Sequence, residues 1–214
     1  LGDVYKRQTI DLTPYLNRDS IAWIDIETTG FTELDTDGVK RHKILEIGII
    51  LTNSDYEPYA CHQVVIHHDK QDLLDVMDDV VLNMHTKNGL LADCEASDIS
   101  EHQAEQQVLD FLRKHIANFS APLAGNTIFL DRAFIEGRMP ELSRYLHYRN
   151  FDVSALKIFF SKLSPRLEYQ KAPSHRAMDD IAMSLKEVQF YHKLAAPFLS
   201  QMLLLAEENG ADAS

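Results

Sequence analysis

Apolar residues run almost unbroken from Ile21 to Ile26 and then meet Thr28-Thr29-Gly30. A second run, Ile44-Leu45-Glu46-Ile47-Gly48-Ile49-Ile50-Leu51-Thr52, ends at the turn signal Asn53-Ser54-Asp55. Tyr59 to His67 alternates loosely around Val64, Val65 and Ile66. Short apolar runs bounded by turn residues predict sheet strands, and three in succession predict an antiparallel meander. The period then changes. Asp72 to Met84 reads as a helix. Ser100 is a candidate cap for a helix through Gln103 to Ile116, where Ala104, Val108, Phe111, Leu112 and Ile116 recur at three and four residues. Pro122 to Asn126 predicts a short strand and turn, and Phe129 to Arg138 a helix that stops near Pro140. Phe151 to Val153 predicts a short strand that leads into a helix from Ser154 to Leu163. A long helix is expected from His175 to Ala195. Pro197 interrupts it before a short terminal helix, Phe198 to Glu208. This order predicts an α/β fold: a mixed five-stranded sheet, its first three strands antiparallel, flanked by helices.

The same pattern divides the chain. Residues 1–8 lack both an apolar core and an amphipathic period and read as translated adapter sequence. Residues 9–19 read as a lead-in, 20–195 as one domain and 196–214 as a helical tail. No apolar stretch reaches the length needed to span a membrane. Cys61 and Cys94 show no paired spacing, which suits a reducing compartment and argues against a structural zinc site. With no secretory signal in view, a cytoplasmic location is expected.

Charge narrows the partners. The chain holds 33 acidic and 21 basic residues, a net charge of −12. A protein that grips a long nucleic acid usually carries a basic face, because affinity comes from neutralised phosphates. Contacts to nucleic acid are therefore expected to be few and local, or the substrate short. The acidic excess also serves solubility without any further role.

The candidate chemistry lies in the first strand. Asp25 and Glu27 fall on one face of it, their Cα atoms roughly 6.6 Å apart. Two carboxylates held in an apolar setting repel unless a cation lies between them, and a divalent ion that prefers oxygen fits. Two more acids stand near predicted helix starts, Asp131 and Asp180. Each alone is explained by the preference of acids for helix N-termini. Together the four could hold two Mg²⁺ or Mn²⁺ ions, a pair that clamps the attacking and leaving oxygens of a phosphoryl displacement. His175, five residues before Asp180, could take a proton from the attacking water.

The set Asp25, Glu27, Asp131, Asp180 and His175, with the motifs WIDIETTGF, AGNTIFLDRAF and HRAMDDI, resembles the DEDDh branch of 3′-to-5′ exonucleases. Met77-Asp78-Asp79, His85-Thr86, Met139 to Leu142 and Tyr145 to Lys157 narrow the resemblance to oligoribonucleases, over residues 20 to 193. The resemblance implies a ribonuclease-H-like fold, a homodimer, and hydrolysis of very short RNAs, chiefly dinucleotides, to 5′-mononucleotides with two divalent cations. It also assigns roles. Tyr148 would reach into the partner subunit's site. Thr127, Arg149 and Ser154 would cap the 5′ phosphate, Asn126 and His85 would contact substrate, and Phe31 would wedge between the bases. Three departures bear on substrate grip: Thr127 replaces a usual serine, Val80 a common tryptophan, and the Phe31 to Lys43 segment is longer than the family's turn. A broader exonuclease acting on longer RNA or DNA ends therefore stays open as the alternative. A non-catalytic nucleotide-binding protein on the same fold has no chemical need for all five catalytic positions.

Overall fold

A computed structural model describes residues 19–30, 41–170 and 174–208. The Phe31 wedge, residues 1–8 and most of the long segment after Gly30 lie outside the described residues. The chain begins with strands β1 (Ile21–Thr28), β2 (Ile44–Thr52) and β3 (Pro58–Val65). Helices α1 (Lys70–Leu74), α2 (Asp79–Lys87), α3 (Leu90–Ala96) and α4 (Glu101–His115) follow. Then come β4 (Pro122–Gly125), α5 (Phe129–Arg138), α6 (Pro140–Tyr145), β5 (His147–Asp152) and α7 (Val153–Leu163). The chain closes with α8 (Ala177–Ala195) and α9 (Leu199–Glu208).

The five strands form one sheet in the order β3-β2-β1-β4-β5. Strands β1, β2 and β3 pair antiparallel, whereas β4 runs parallel to both β1 and β5. The sheet is thus mixed, as the pattern predicts. Alternation along β1 divides two apolar layers. Ala22, Ile24 and Ile26 pack with Val108 and Leu112 of α4 and Phe134 and Ile135 of α5. On the other face, Trp23 packs with Ile181, Leu185, Val188 and Tyr191 of α8. Because β1 is covered on both sides, its apolar run is nearly continuous.

Local differences from expectation have local causes. The helix expected over Asp72 to Met84 is two helices. Asp78 accepts hydrogen bonds from the backbone N–H groups of Val80 and Val81 and restarts the chain as α2. An unforeseen α3 begins after Gly89, whose φ of 81° favours glycine. The helix from Phe129 stops at Arg138 as expected, and Pro140 opens the unforeseen α6 at a position where the missing N–H costs nothing. Strand β5 is longer than predicted and begins at His147, because its first half is an exposed polar edge with no apolar signature. The Ser100 cap is present with its reciprocal partner Gln103.

Candidate active site

The carboxylates gather where β1 ends and α8 begins. Asp25 stands opposite Gly48 of β2, and Glu27 opposite Glu46. All four share the face that α8 covers. Gly48 makes the close seat possible: a Cβ there would lie 3.0 Å from the Ala177 Cβ and 3.2 Å from its carbonyl carbon. With the first turn of α8 laid against β2, Asp180 meets the β1 pair. One carboxylate oxygen each from Asp25, Glu27 and Asp180 lie within 4.8 Å of one another. Asp180 is steadied by Ser174, whose backbone N–H donates to Oδ1 at 3.2 Å.

Asp131 approaches from α5 and stands beside this group of three. Its Oδ1 accepts the Ile26 N–H at 3.1 Å, a strand donor left free for it at the point where β4 has diverged from β1. Its charge still reaches Asp25. Burial first, then the fields of Asp131, Glu27 and Asp180, hold the Asp25 carboxyl well above the usual carboxylate range. Burial and the charge of Asp180 push Glu27 up to about 8, with the Arg176 guanidinium pulling the other way. Burial takes Asp131 to about 7, against the N–H donors that favour its ionised form. Raised acids crowded together lack a positive charge at their centre. Hard oxygen donors at this spacing suit Mg²⁺ or Mn²⁺, which makes the residues a fit for divalent ions.

His175 precedes α8, exposed and with a φ of 56°. Its carbonyl accepts the side-chain amide of Asn88. His85 lies behind the carboxylates and has no exposed surface. Its Nε2 is 3.1 Å from the Thr28 carbonyl and 3.9 Å from Glu27 Oε2. Burial chiefly, with a smaller contribution from the charge of His175, lowers the His85 pKa from its ordinary value. In this geometry His85 supports the end of β1 from within.

Of the residues expected to cap a phosphate, Thr127 and Ser154 come together at the C-terminal end of β4, with Asn126 beside them. The Thr127 N–H donates to Ser154 Oγ at 2.9 Å and to Asp152 Oδ1 at 3.0 Å, and the Thr127 and Ser154 hydroxyls are 3.2 Å apart. Thr127 has a φ of 54°, unusual for a β-branched residue. Asn126 donates to the fully buried Glu187 at 3.1 Å, and Ser184 donates to the Asp180 carbonyl at 2.9 Å. Ser184 also donates to the Asn126 Oδ1, so the loop that carries the cap is fastened to α8 one turn beyond Asp180. Tyr148 and Arg149 occupy the exposed edge of β5, with the guanidinium 5.6 Å from the centre of the Tyr148 ring. Tyr148 is 65% exposed and leans on His147 and Phe119.

The sequence reasoning did not find Glu46, Arg176 or Glu187. Glu46 did carry a signal: like Asp25 and Glu27, it breaks an apolar strand run.

Comparisons with known proteins agree with this geometry. A family model described as Exonuclease matches residues 22–188. The chain is 38% identical to an oligoribonuclease of Rhodococcus jostii over 202 residues, covering 90% of this chain and 98% of that one. It is 40% identical to an oligoribonuclease of Mycobacterium avium over 182 residues, covering 83% and 82%. Among solved structures, the Mg²⁺- and Mn²⁺-bound form of S. pombe Pop2p shares the fold, with a TM-score of 0.59 at 14% identity over 80% of this chain and 82% of that one. The chain belongs to the exonuclease family and, within it, to the oligoribonucleases, the 3′-to-5′ exoribonucleases that its carboxylate set led us to expect.

Proposed function

We propose that the preferred substrate is an RNA of two nucleotides, cleaved to 5′-mononucleotides at the carboxylate cluster. The observations that carry this reading are the close-set triad of Asp25, Glu27 and Asp180 and, after β4, the paired hydroxyls of Thr127 and Ser154. Asp25, Glu27 and Asp180, with Asp131, would hold two divalent cations, Mg²⁺ or Mn²⁺. When bound, these ions neutralise charge that develops on the phosphate during displacement.

The chain's own residues do the rest. The hydroxyls of Thr127 and Ser154, with Asn126 and Arg149, bind the 5′-terminal phosphate and leave little room for another nucleotide beyond it. That grip places the next phosphodiester at the carboxylates. His175 takes a proton from the attacking water, the new P–O bond forms, and the bond to the 3′ oxygen breaks. The 3′ hydroxyl leaves on the capped nucleotide, and the second nucleotide departs with a 5′ phosphate. Phe31 is assigned to the space between the bases.

The partner in this reading is a second copy of the chain. β5 is an edge strand with Tyr148 exposed, and α7 exposes Ile158, Phe159 and Leu163. A homodimer over this surface would bring Tyr148 to the neighbouring site. Light scattering tests it: a dimer mass is expected, and a monomer would remove that role from Tyr148. No helix among the described residues is long and apolar enough to cross a membrane, and a cytoplasmic enzyme is the corresponding reading.

One observation favours the broader alternative. Val80 is exposed on α2 and offers no aromatic face on which a base could stack. The direct test of the proposed chemistry is a labelled dinucleotide incubated with Mg²⁺ or Mn²⁺. Mononucleotide release is expected, with loss of turnover in Asp131→Ala. An inactive wild-type protein, or a fully active Asp131→Ala variant, contradicts it.

A further inference from the structure

An ion pair beside the carboxylate cluster, Glu46 buried and Arg176 partly so, anchors the start of α8 next to His175. Glu46 on β2 has no exposed surface. Arg176 clasps it from two directions: Nε donates to Oε2 at 3.2 Å and Nη2 to Oε1 at 2.8 Å. The Gln63 side chain of β3 donates to Oε1 as well. Glu46 Oε2 also accepts the Ala177 N–H at 3.0 Å. That bond serves as the missing cap of α8, because Arg176 at the cap position supplies no side-chain bond to the helix. One carboxylate thus holds both the side chain of Arg176 and the first turn of the helix that bears Asp180.

The other side of Arg176 is held too. Its Nη1 lies 2.9 Å from Asp93 Oδ2 and donates to the Asn88 carbonyl at 3.4 Å. The same Asn88 donates its side-chain amide to the His175 carbonyl. His175 is in the left-handed region, where a residue with a side chain stays only if its surroundings hold it. The guanidinium joins β2 to the junction between α2 and α3, and His175 is the residue immediately before it. A flat, forked cation can satisfy these partners together; an ammonium cannot.

We propose that Glu46 and Arg176 are a positioning pair: they fix the backbone at His175 and so set where its imidazole stands. The pair touches no reacting atom. It acts through His175, and this inference rests on the reading of His175 as the general base.

The test is a double-mutant comparison on a dinucleotide with saturating Mn²⁺. Arg176→Lys keeps the positive charge and loses the fork. In the otherwise unchanged enzyme it is expected to lower kcat by about 10–100-fold, the range seen for supporting residues around metal sites, with KM changed less than about threefold. In a His175→Ala background, where turnover is read over hours at high enzyme concentration, the same substitution is expected to cost less than about threefold. Equal losses in both backgrounds, or no loss in either, would overturn the proposal and leave the base reading intact. If His175→Ala alone is as active as wild type, the base reading itself falls and the proposal with it. Should Arg176→Lys lower the melting temperature by more than about 5 °C, which for a chain of this size is on the scale of a single large substitution, the same comparison is read at least about 15 °C below the variant's melting temperature, where all four proteins are folded, with the same outcomes.

Discussion

Glu27 and Glu46 are direct cross-strand partners, on one face of the sheet and both buried, yet their surroundings are opposite. Glu46 is met by the guanidinium of Arg176 and the N–H of Ala177. Glu27 faces the carboxylates of Asp25 and Asp180. Like charges directly opposite in a sheet are destabilising. The first arrangement is complete within the chain; the second is one that a divalent cation would complete.

The metal-free fold should therefore respond to pH in a defined direction. Glu27 titrates at about 8 and Asp131 at about 7, both above the range near 4 of an unfolded carboxylate. Between pH 4 and 8 the native state holds protons that the unfolded chain has lost. Stability from these groups is full below about pH 4 and is lost as pH rises to about 8. Each proton contributes about 1.4 kcal/mol per pH unit, or about 3–6 °C for a chain of this size. Divalent cations held by the ionised carboxylates would oppose the loss. The melting-temperature difference between Mn²⁺ and EDTA samples should widen from pH 6 to pH 8. A constant difference would contradict the assignment.

Neutralising Glu27 should separate stability from activity. Glu27→Gln removes a buried charge from a cluster of like charges and keeps the side chain's shape. In EDTA at pH 8.5 the variant should melt a few degrees above wild type, about 1–2 kcal/mol more stable. Its kcat should fall about a thousandfold or more, because a cation ligand is gone. A variant less stable than wild type in EDTA would show that Glu27 is not under electrostatic strain.

These carboxylates were legible from the sequence because their signal is local: acids at alternate positions in an apolar strand, and acids at helix starts. Strands β1 and β2 were legible for the same reason, since both are covered on both faces and read as apolar runs. β5 was half hidden because Tyr148, Arg149 and Asn150 lie exposed at an edge. The break between α1 and α2 depends on one cap, Asp78, inside a stretch that keeps helical composition. Glu46 stood out of its strand as clearly as Glu27, but its partner Arg176 is 130 residues away, and no local rule joins them. Glu187 likewise reads as an ordinary helix acid until β4 brings Asn126 to it.

The cap assignment predicts a dependence on one phosphate. Ser154→Ala removes a hydroxyl that lies 3.2 Å from that of Thr127, and the Thr127 N–H keeps its bond to Asp152. A hydrogen bond to a charged group contributes about 1.5–3 kcal/mol. On a dinucleotide with a 5′ phosphate, kcat/KM should fall about 10–100-fold. On the same dinucleotide without that phosphate it should change less than about threefold. Equal losses on both substrates would place Ser154 outside the cap.

The central claim is that this site is built for two nucleotides. The most direct measurement is kcat/KM for a 5′-phosphorylated dinucleotide against RNAs of three to ten nucleotides and a matching DNA, in one buffer with Mn²⁺. A terminal-phosphate grip predicts the highest value for the dinucleotide, about tenfold or more above the ten-nucleotide RNA, consistent with one lost charge-assisted bond. Equal or faster turnover of the longer RNA or the DNA would contradict the account and assign the site to general 3′-end trimming.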